Sequence, residues 1–230
     1  MTAAEWEIIT LSLKVSGVAV LLTMPIAFAL AWLLARGRFP GKIILDALVH
    51  LPLVLPPVVT GWLLLIAFGN NGPVGRWLAQ WLGFTFMFSW TGAALAAAIM
   101  ALPLMVRAMR LSIEAVDPRL EAAARTLGAS PWRSFLTITL PLARPGLLAG
   151  AVLGFARSIG EFGATITFVS NIPGETQTIP LAIYGALQLP GNEAAVTRLA
   201  IIAVALSLGA LIISEWLARR SGLEKGGHVL

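Results

Sequence analysis

DPRLEAAARTLGASPWRSFLTITLPLARP, residues 117–145, is the longest polar interruption in an otherwise apolar chain, and it is patterned like structure rather than like a slack loop. Asp117 before Pro118 reads as a helix N-cap followed by the first helical position, and residues 120–127 are Leu, Ala, Arg, Glu and Thr, mostly good helix formers. Gly128 then stops that helix. Ser130 and Pro131 repeat the cap-plus-proline signal, so a second helix is expected from Pro131 toward Leu140, where Pro141 and Pro145 limit or kink it. Two short helices at a glycine corner between apolar spans have the form of a docking surface.

Outside this stretch the chain is written for lipid. Of 230 residues, 58% are hydrophobic and 12% charged, far below the roughly 25% charged residues of a soluble domain. The mean hydropathy of +0.86 points to a polytopic membrane protein. A net charge of +5 could suggest nucleic acid, but the basic residues are scattered between apolar runs instead of forming a stripe, so no nucleic-acid partner is expected. The absence of cysteine excludes disulfides, thiolate metal sites and a Cys nucleophile, and His50 and His228 cannot build a metal cluster by themselves.

Five spans are expected, giving an all-α polytopic membrane protein. The first ten residues contain Glu5 and Glu7, no Lys or Arg, and lead into a span longer than a signal's apolar region, so no cleavable signal is expected. The first span covers about 8–35, with residues 15–35 uncharged, enough for the ~20 residues a bilayer core needs. Lys14 lies near its outer end and can snorkel. The second, about 43–69, carries Leu51-Pro52-Leu53-Val54-Leu55-Pro56-Pro57 at its centre; such prolines leave carbonyls unpaired, which lipid tolerates where protein or water covers the break. This helix is therefore expected to be broken and to face a pathway. Residues 70–90 read as an outer loop, with Asn70-Asn71-Gly72-Pro73 as turn chemistry and Trp77, Trp81 and Trp90 as interfacial anchors. Spans at about 92–109, 146–170 and 198–217 complete the set. Residues 179–189 are too short to cross and are expected to be re-entrant or interfacial.

Twelve of the sixteen Lys and Arg lie on one side of this arrangement: Arg36, Arg38, Lys42, Arg107, Arg110, Arg119, Arg125, Arg133, Arg144, Arg219, Arg220 and Lys225. The positive-inside rule makes that side cytoplasmic, so the 117–145 stretch and the C-terminus face the cytoplasm and the N-terminus lies outside. In the fourth span Arg157 and Glu161 stand four residues apart. Buried charges are costly and usually face protein, water or each other, so the two are expected to neutralise one another, as a gating element or as a structural pair. No phosphate-binding G-x-x-x-x-G-K-[ST] occurs, since Gly41-Lys42 is followed by Ile43, and no metal constellation, acidic pair or activated nucleophile is evident. The chain is not expected to be an enzyme, to bind a metal or to hold a cofactor.

A family resemblance rests on specific residues. Ala122-Ala123-Ala124, Gly128 and Leu140-Pro141 resemble the EAA loop of bacterial ABC importer permeases, with one departure: the position where that family often carries Glu is Ala122, and the Glu here is Glu121. Residues 51–59, the Arg125-Thr126-Leu127-Gly128 version of the loop, and Gly160-Glu161-Phe162-Gly163-Ala164-Thr165-Ile166 through Asn171-Ile172-Pro173-Gly174-Glu175-Thr176 are similar to molybdate ABC transporter permeases. The resemblance implies a type I ABC importer permease domain over residues 7–217 and a cytoplasmic tail over 218–230. It implies a multi-pass subunit of the bacterial cytoplasmic membrane that works as a homodimer, with two ATP-binding subunits that hold ATP and Mg, and an extracytoplasmic molybdate-binding protein.

On this reading Glu121, Ala123, Ala124, Arg125, Leu127, Gly128, Ala129, Ser130 and Pro131 couple to the ATPase. Pathway and gating candidates, chosen for polarity in broken or Gly-rich spans, are Pro56, Pro57, Thr60, Asn70, Arg157, Ser158, Glu161, Thr165 and Thr167. Two other readings stay open: a sulfate or thiosulfate permease, and a channel or scaffold that recruits a soluble partner.

Overall fold

The computed structural model describes residues 1–220, and all regular structure among them is helical. Thr2 caps α1 (Ala3–Arg36): its hydroxyl accepts from the Glu5 N–H while the Glu5 carboxylate accepts from the Thr2 N–H. This reciprocal box starts the helix at Ala3 instead of Ile8. The 34 residues make about 51 Å of helix, more than the ~30 Å of a hydrocarbon core, so α1 extends past it. Next come α2 (Lys42–Val54) and α3 (Pro57–Phe68), which meet at Leu55-Pro56 with a bend of 115°. The proline-rich centre is thus a true break. After α4 (Pro73–Leu82) and α5 (Trp90–Glu114), the polar stretch forms α6 (Pro118–Thr126) and α7 (Pro131–Ser134), then a π-turn at Phe135–Thr139 that runs into α8 (Leu140–Ile159). The chain continues with α9 (Gly163–Val169), α10 (Ile179–Leu187) and α11 (Glu193–Arg220). Four helical stretches are long and apolar enough to cross a membrane, Ala3–Arg36, Trp90–Glu114, Pro131–Ile159 and Glu193–Ile213, and the bent α2–α3 pair makes a fifth when counted as one span.

The bundle is centred on α5, whose small face (Ala93, Ala96, Ala97 and Ala101) is almost completely buried against α1, α8 and α9. Without a hydrophobic drive between helices in lipid, close backbone approach has to supply the packing energy, and small residues permit it. On α8 the matching feature is Gly146, Gly150 and Gly154, one per turn. A β-carbon at Gly146 would lie 2.2 Å from the Ser112 side chain, and one at Gly154 would lie 2.6 Å from the Met105 sulfur. Met105 and Met109, flexible enough to fill irregular gaps, close the rest of that seam at 0% exposure.

Several boundaries differ from expectation. The outer loop at 70–90 contains a ten-residue helix, α4, with Pro73 in its first turn and Gly83 in the left-handed conformation at its end. The helix from Pro131 does not stop at Leu140. The five-residue π-turn admits Pro141 near the start of α8, because widening the turn moves the carbonyl that the ring would strike. The span placed at 146–170 is broken: α8 ends at Ile159, and Gly160–Phe162 separate it from α9. The short apolar piece is α10, which buries Ile179, Leu181 and Ala182 and packs on α11 and the start of α1. The last helix begins at Glu193, ahead of Arg198. Lys225 and His228 lie outside the described residues, as does the rest of the tail beyond Arg220.

The glycine seam sets a stability prediction. Gly146→Val drives a branched side chain into Ser112 and should cost about 1–3 kcal/mol, the usual range for overpacking. Gly17→Ala on α1, where nothing lies within 4 Å, should leave stability unchanged or slightly raised. Thermal unfolding in detergent checks the pair, and equal midpoints for the two variants would contradict the packing account.

Candidate functional site

Most of the residues singled out in the sequence fall in two places, and the first is the elbow between α6 and α7. Asp117 accepts from the Arg119 N–H at 2.9 Å and Ser130 from the Arg133 N–H at 3.2 Å, so each short helix is capped by the side chain read from the sequence. Between them Gly128 has φ +87°, the Gly128 N–H donates to the Arg125 carbonyl, and the Ala129 N–H donates to the Ala124 carbonyl. This is a Schellman close, and it requires a residue that tolerates the left-handed region. A β-carbon at Gly128 would meet nothing within 4 Å, so the corner stands clear of the bundle. Leu127 beside it is 89% exposed and Trp132 is 68% exposed. Ala123, Arg125, Ser130 and Pro131 are exposed too, with Ala124 and Ala129 half-buried. Large apolar side chains at an outward corner are the arrangement a partner surface covers.

Glu121 departs from that set. Its Oε1 accepts from the Thr139 hydroxyl at 2.6 Å and from Arg36 Nη2 at 3.4 Å, so the carboxylate is engaged within the chain. Arg36 reaches further, donating to the backbone carbonyls of Val116 at 2.9 Å and Ile113 at 3.3 Å.

The second place is where the two helix breaks meet. Gly163, opening α9, sits against Pro57, opening α3: a β-carbon on Gly163 would lie 2.7 Å from Pro57 Cβ. One turn along, a β-carbon on Gly61 would lie 2.6 Å from the Ala164 carbonyl oxygen. The first turns that follow the two breaks therefore lie against each other. Glu161, 3% exposed, ties the junction together, since its Oε2 lies 2.6 Å from Arg157 Nη1 and its Oε1 accepts from the Ala164 N–H at 2.8 Å. The expected Arg157–Glu161 pair therefore forms, although Glu161 stands just beyond the end of α8 and not on a continuous helix face. Thr60 and Ser158 are each 5% exposed, and both hydroxyl oxygens are buried with no hydrogen-bond partner among the described residues.

The remaining candidates fall in different environments. Thr165 is buried in α9, and the Thr167 hydroxyl is used up on the Gly163 carbonyl at 2.8 Å. Pro56 and Pro57 are exposed at the break. Asn70 lies apart, exposed beyond the end of α3, and accepts from the Thr85 hydroxyl at 3.2 Å. The Asn171–Thr176 segment is a self-contained turn: the buried Thr176 hydroxyl donates to the Ser170 carbonyl and accepts from the Ile172 N–H. Arg36, Gly61 and Thr139 were missed from sequence, and of these Gly61 carried a readable signal, as a glycine four residues beyond the paired prolines. Among the described residues no three of His, Cys, Asp and Glu are grouped so as to hold a metal ion.

A double-mutant cycle tests the junction. Glu161→Gln keeps the bond from Ala164 but strands the Arg157 charge, and Arg157→Gln strands a carboxylate that is almost fully buried, so each single change should lower the yield of folded protein from membranes. The double variant should recover part of the loss, because breaking a buried pair from one side is costlier than removing both charges. Strictly additive losses would remove the pairing from the account.

The profile of the family described as "Binding-protein-dependent transport system inner membrane component" matches residues 24–222. The chain is 61% identical over 226 residues to the molybdenum transport system permease protein ModB of Escherichia coli (strain K12), covering 98% of this chain and 99% of that one. It is 60% identical to the protein of the same name from Haemophilus influenzae over 96% and 97% of the two chains. The sulfate transport system permease protein CysT of Escherichia coli is 38% identical over 98% of this chain and 84% of its own. Among solved structures, the inward-facing MetNI methionine ABC transporter is similar with a TM-score of 0.72 over 96% of this chain and 99% of that chain, at 17% identity, which speaks to the fold alone. This chain belongs to the family of binding-protein-dependent transport system inner membrane components.

Proposed function

We propose that the chain is the membrane-spanning subunit of an ATP-driven importer that carries molybdate, and tungstate by the same chemistry, across the bacterial cytoplasmic membrane. The observation that carries this reading is the exposed α6–Gly128–α7 elbow in a chain 61% identical, end to end, to a permease named for molybdenum. The lower identity to the sulfate permease favours molybdate over sulfate. The elbow is read as the contact for two separate ATP-binding subunits, which hold ATP and Mg, with Ala123, Ala124, Arg125, Leu127, Gly128, Ala129, Ser130 and Pro131 at or near that contact. A second copy of the chain would cover the apolar surface of the bent pair, where Ile43 is 85% and Val54 82% exposed, and an extracytoplasmic molybdate-binding protein would deliver substrate on the outer face.

The basic side chains clustered at the inner ends of the spans support a cytoplasmic elbow and C-terminus and an external N-terminus. Closure of the ATPases would move the elbow, and the bundle would pass that motion to the two breaks in an alternating-access cycle. A tetrahedral dianion leaving water needs hydrogen-bond donors. Thr60, Ser158 and Thr165, at the junction of the breaks, can supply neutral hydroxyls, while Thr167 is already engaged and Asn70 suits the outer mouth. Because Glu161 cancels the Arg157 charge, the passage holds no deep electrostatic trap, which suits transit better than storage.

Two measurements test this. Gly128→Asp replaces the residue whose φ of +87° the elbow needs and puts a charge on its outer face; the variant should insert in the membrane yet lose co-purification with the ATPase and substrate-stimulated hydrolysis. In whole cells, labelled molybdate uptake should be abolished by excess tungstate and resist excess sulfate. Uptake that survives without any nucleotide-hydrolysing partner would favour a channel.

A further inference from the structure

Glycine at the corner of the elbow creates a mechanical problem. A two-helix arm with a pivot at Gly128 would absorb a push from outside unless something braces it against the bundle. Covalent continuity runs from the elbow into α5 on one side and α8 on the other, yet side-chain contacts reach a third helix. Arg36, at the last turn of α1, donates through one nitrogen to the Ile113 and Val116 carbonyls at the end of α5 and lies 3.4 Å from Glu121 of α6. There it also meets the partial negative charge of the α5 C-terminus, which favours a cation. The same Glu121 oxygen accepts from Thr139 of the π-turn at 2.6 Å. Four elements therefore converge on one guanidinium and one carboxylate.

The π-turn is what brings Thr139 into this group. An extra residue in the turn resets the phase between α7 and α8 by about 100°, so Trp132 faces outward while Thr139 faces Glu121 at 0% exposure. An aromatic seam runs beside the polar one. Phe135 of the π-turn stands edge-on to Trp32 of α1, with ring centroids 4.8 Å apart, and stacks on Trp132 of α7 at 5.4 Å. Polar and aromatic contacts both join the elbow to α1.

We propose that Arg36, Glu121 and Thr139 form a coupling clamp: they make the elbow and the end of α1 one rigid body, so a displacement imposed at the elbow enters the bundle through α1. The proposal rests on the reading of the elbow as the ATPase contact. Glu121 is then a positioning residue for coupling and not a contact of the partner.

The test uses the whole complex, with ATPase and binding protein, in proteoliposomes. Thr139 is buried, so a change there cannot act by touching the partner directly. Thr139→Val keeps the shape and removes the donor. The variant should co-purify with the ATPase and keep basal hydrolysis, while molybdate-stimulated hydrolysis and the maximal uptake rate fall at least about five-fold, the low end of ordinary coupling energies, with KM unchanged. Thr139→Ser should restore both. Uptake and stimulation in Thr139→Val equal to those of the unsubstituted chain would overturn the clamp, whereas failure of the unsubstituted chain to bind an ATPase would overturn the elbow reading and the clamp with it. A second measurement stands even if Thr139→Val fails to assemble. Spin labels at the exposed Arg38 and Arg119, with labelled chains diluted into unlabelled ones, should keep one separation in nucleotide-free and vanadate-trapped states; a change above ~3 Å, larger than ordinary helix adjustments, would overturn the proposal.

Discussion

Backbone groups in hydrocarbon have no water to turn to, and that obligation shapes this chain more than any side-chain preference. A helix satisfies it automatically, and a broken helix does not. The chain breaks two helices, at Leu55-Pro56 and at Gly160–Phe162, and lays the first turn that follows one break on the first turn that follows the other. Gly61 and Gly163 are small because the backbones touch there. Glu161 completes the repair by accepting the Ala164 N–H with one oxygen and pairing with Arg157 through the other. A carboxylate in this position is expensive unless compensated, and it is compensated twice. Among the described residues the Thr60 and Ser158 hydroxyls at the junction have no partner, so the buried polar capacity left over there is neutral.

Around the junction the bundle is closely packed. Close-packed interiors deform by switching between arrangements and not by stretching, and the alanine face of α5 against the glycines of α8 leaves little slack. By contrast, α2 buries Val49 and exposes much of its length, so it is the more weakly held arm of the bent pair. Besides the packing of Val49 and Leu45 in the same apolar cluster as Met105 and Val106, it is tied to α5 by the Asp46–Arg110 pair at 3.1 Å, with both side chains more than a quarter exposed; pairs of that kind contribute about 1 kcal/mol or less. A firm block beside a less deeply packed arm fits the alternating-access cycle proposed above.

Much of this was legible in the sequence, for local reasons. Asp117-Pro118, Gly128 and Ser130-Pro131 announce their caps and corner because capping depends on a few neighbouring residues. Paired prolines announce the first break, and four-residue spacing suggested the Arg157–Glu161 pair. The second break was not legible, since Ile159-Gly160 reads like the rest of a glycine-bearing span and the interruption is fixed by packing on Pro57. Pro141 misled in the other direction: a proline that usually ends a helix is carried through by a π-turn that depends on neighbours distant in sequence. Glu121 was grouped with the outward contacts because it lies in the loop, although one position from the family's Glu, and its engagement by Arg36, eighty-five residues earlier, and by Thr139 depends on neighbours distant in sequence. Thr60 and Asn70 looked equivalent as polar residues near a broken span, yet one is buried at the junction and the other sits in the outer loop.

The central claim is that the elbow lies on the cytoplasmic face and is covered there by the ATPase. The chain has no cysteine, so a single Leu127→Cys substitution gives an unambiguous probe. With a membrane-impermeant maleimide, the account predicts labelling in inside-out vesicles, none in right-side-out vesicles, and protection when the ATPase subunit is present. Labelling from the external side, or labelling that the ATPase leaves unchanged, would contradict it.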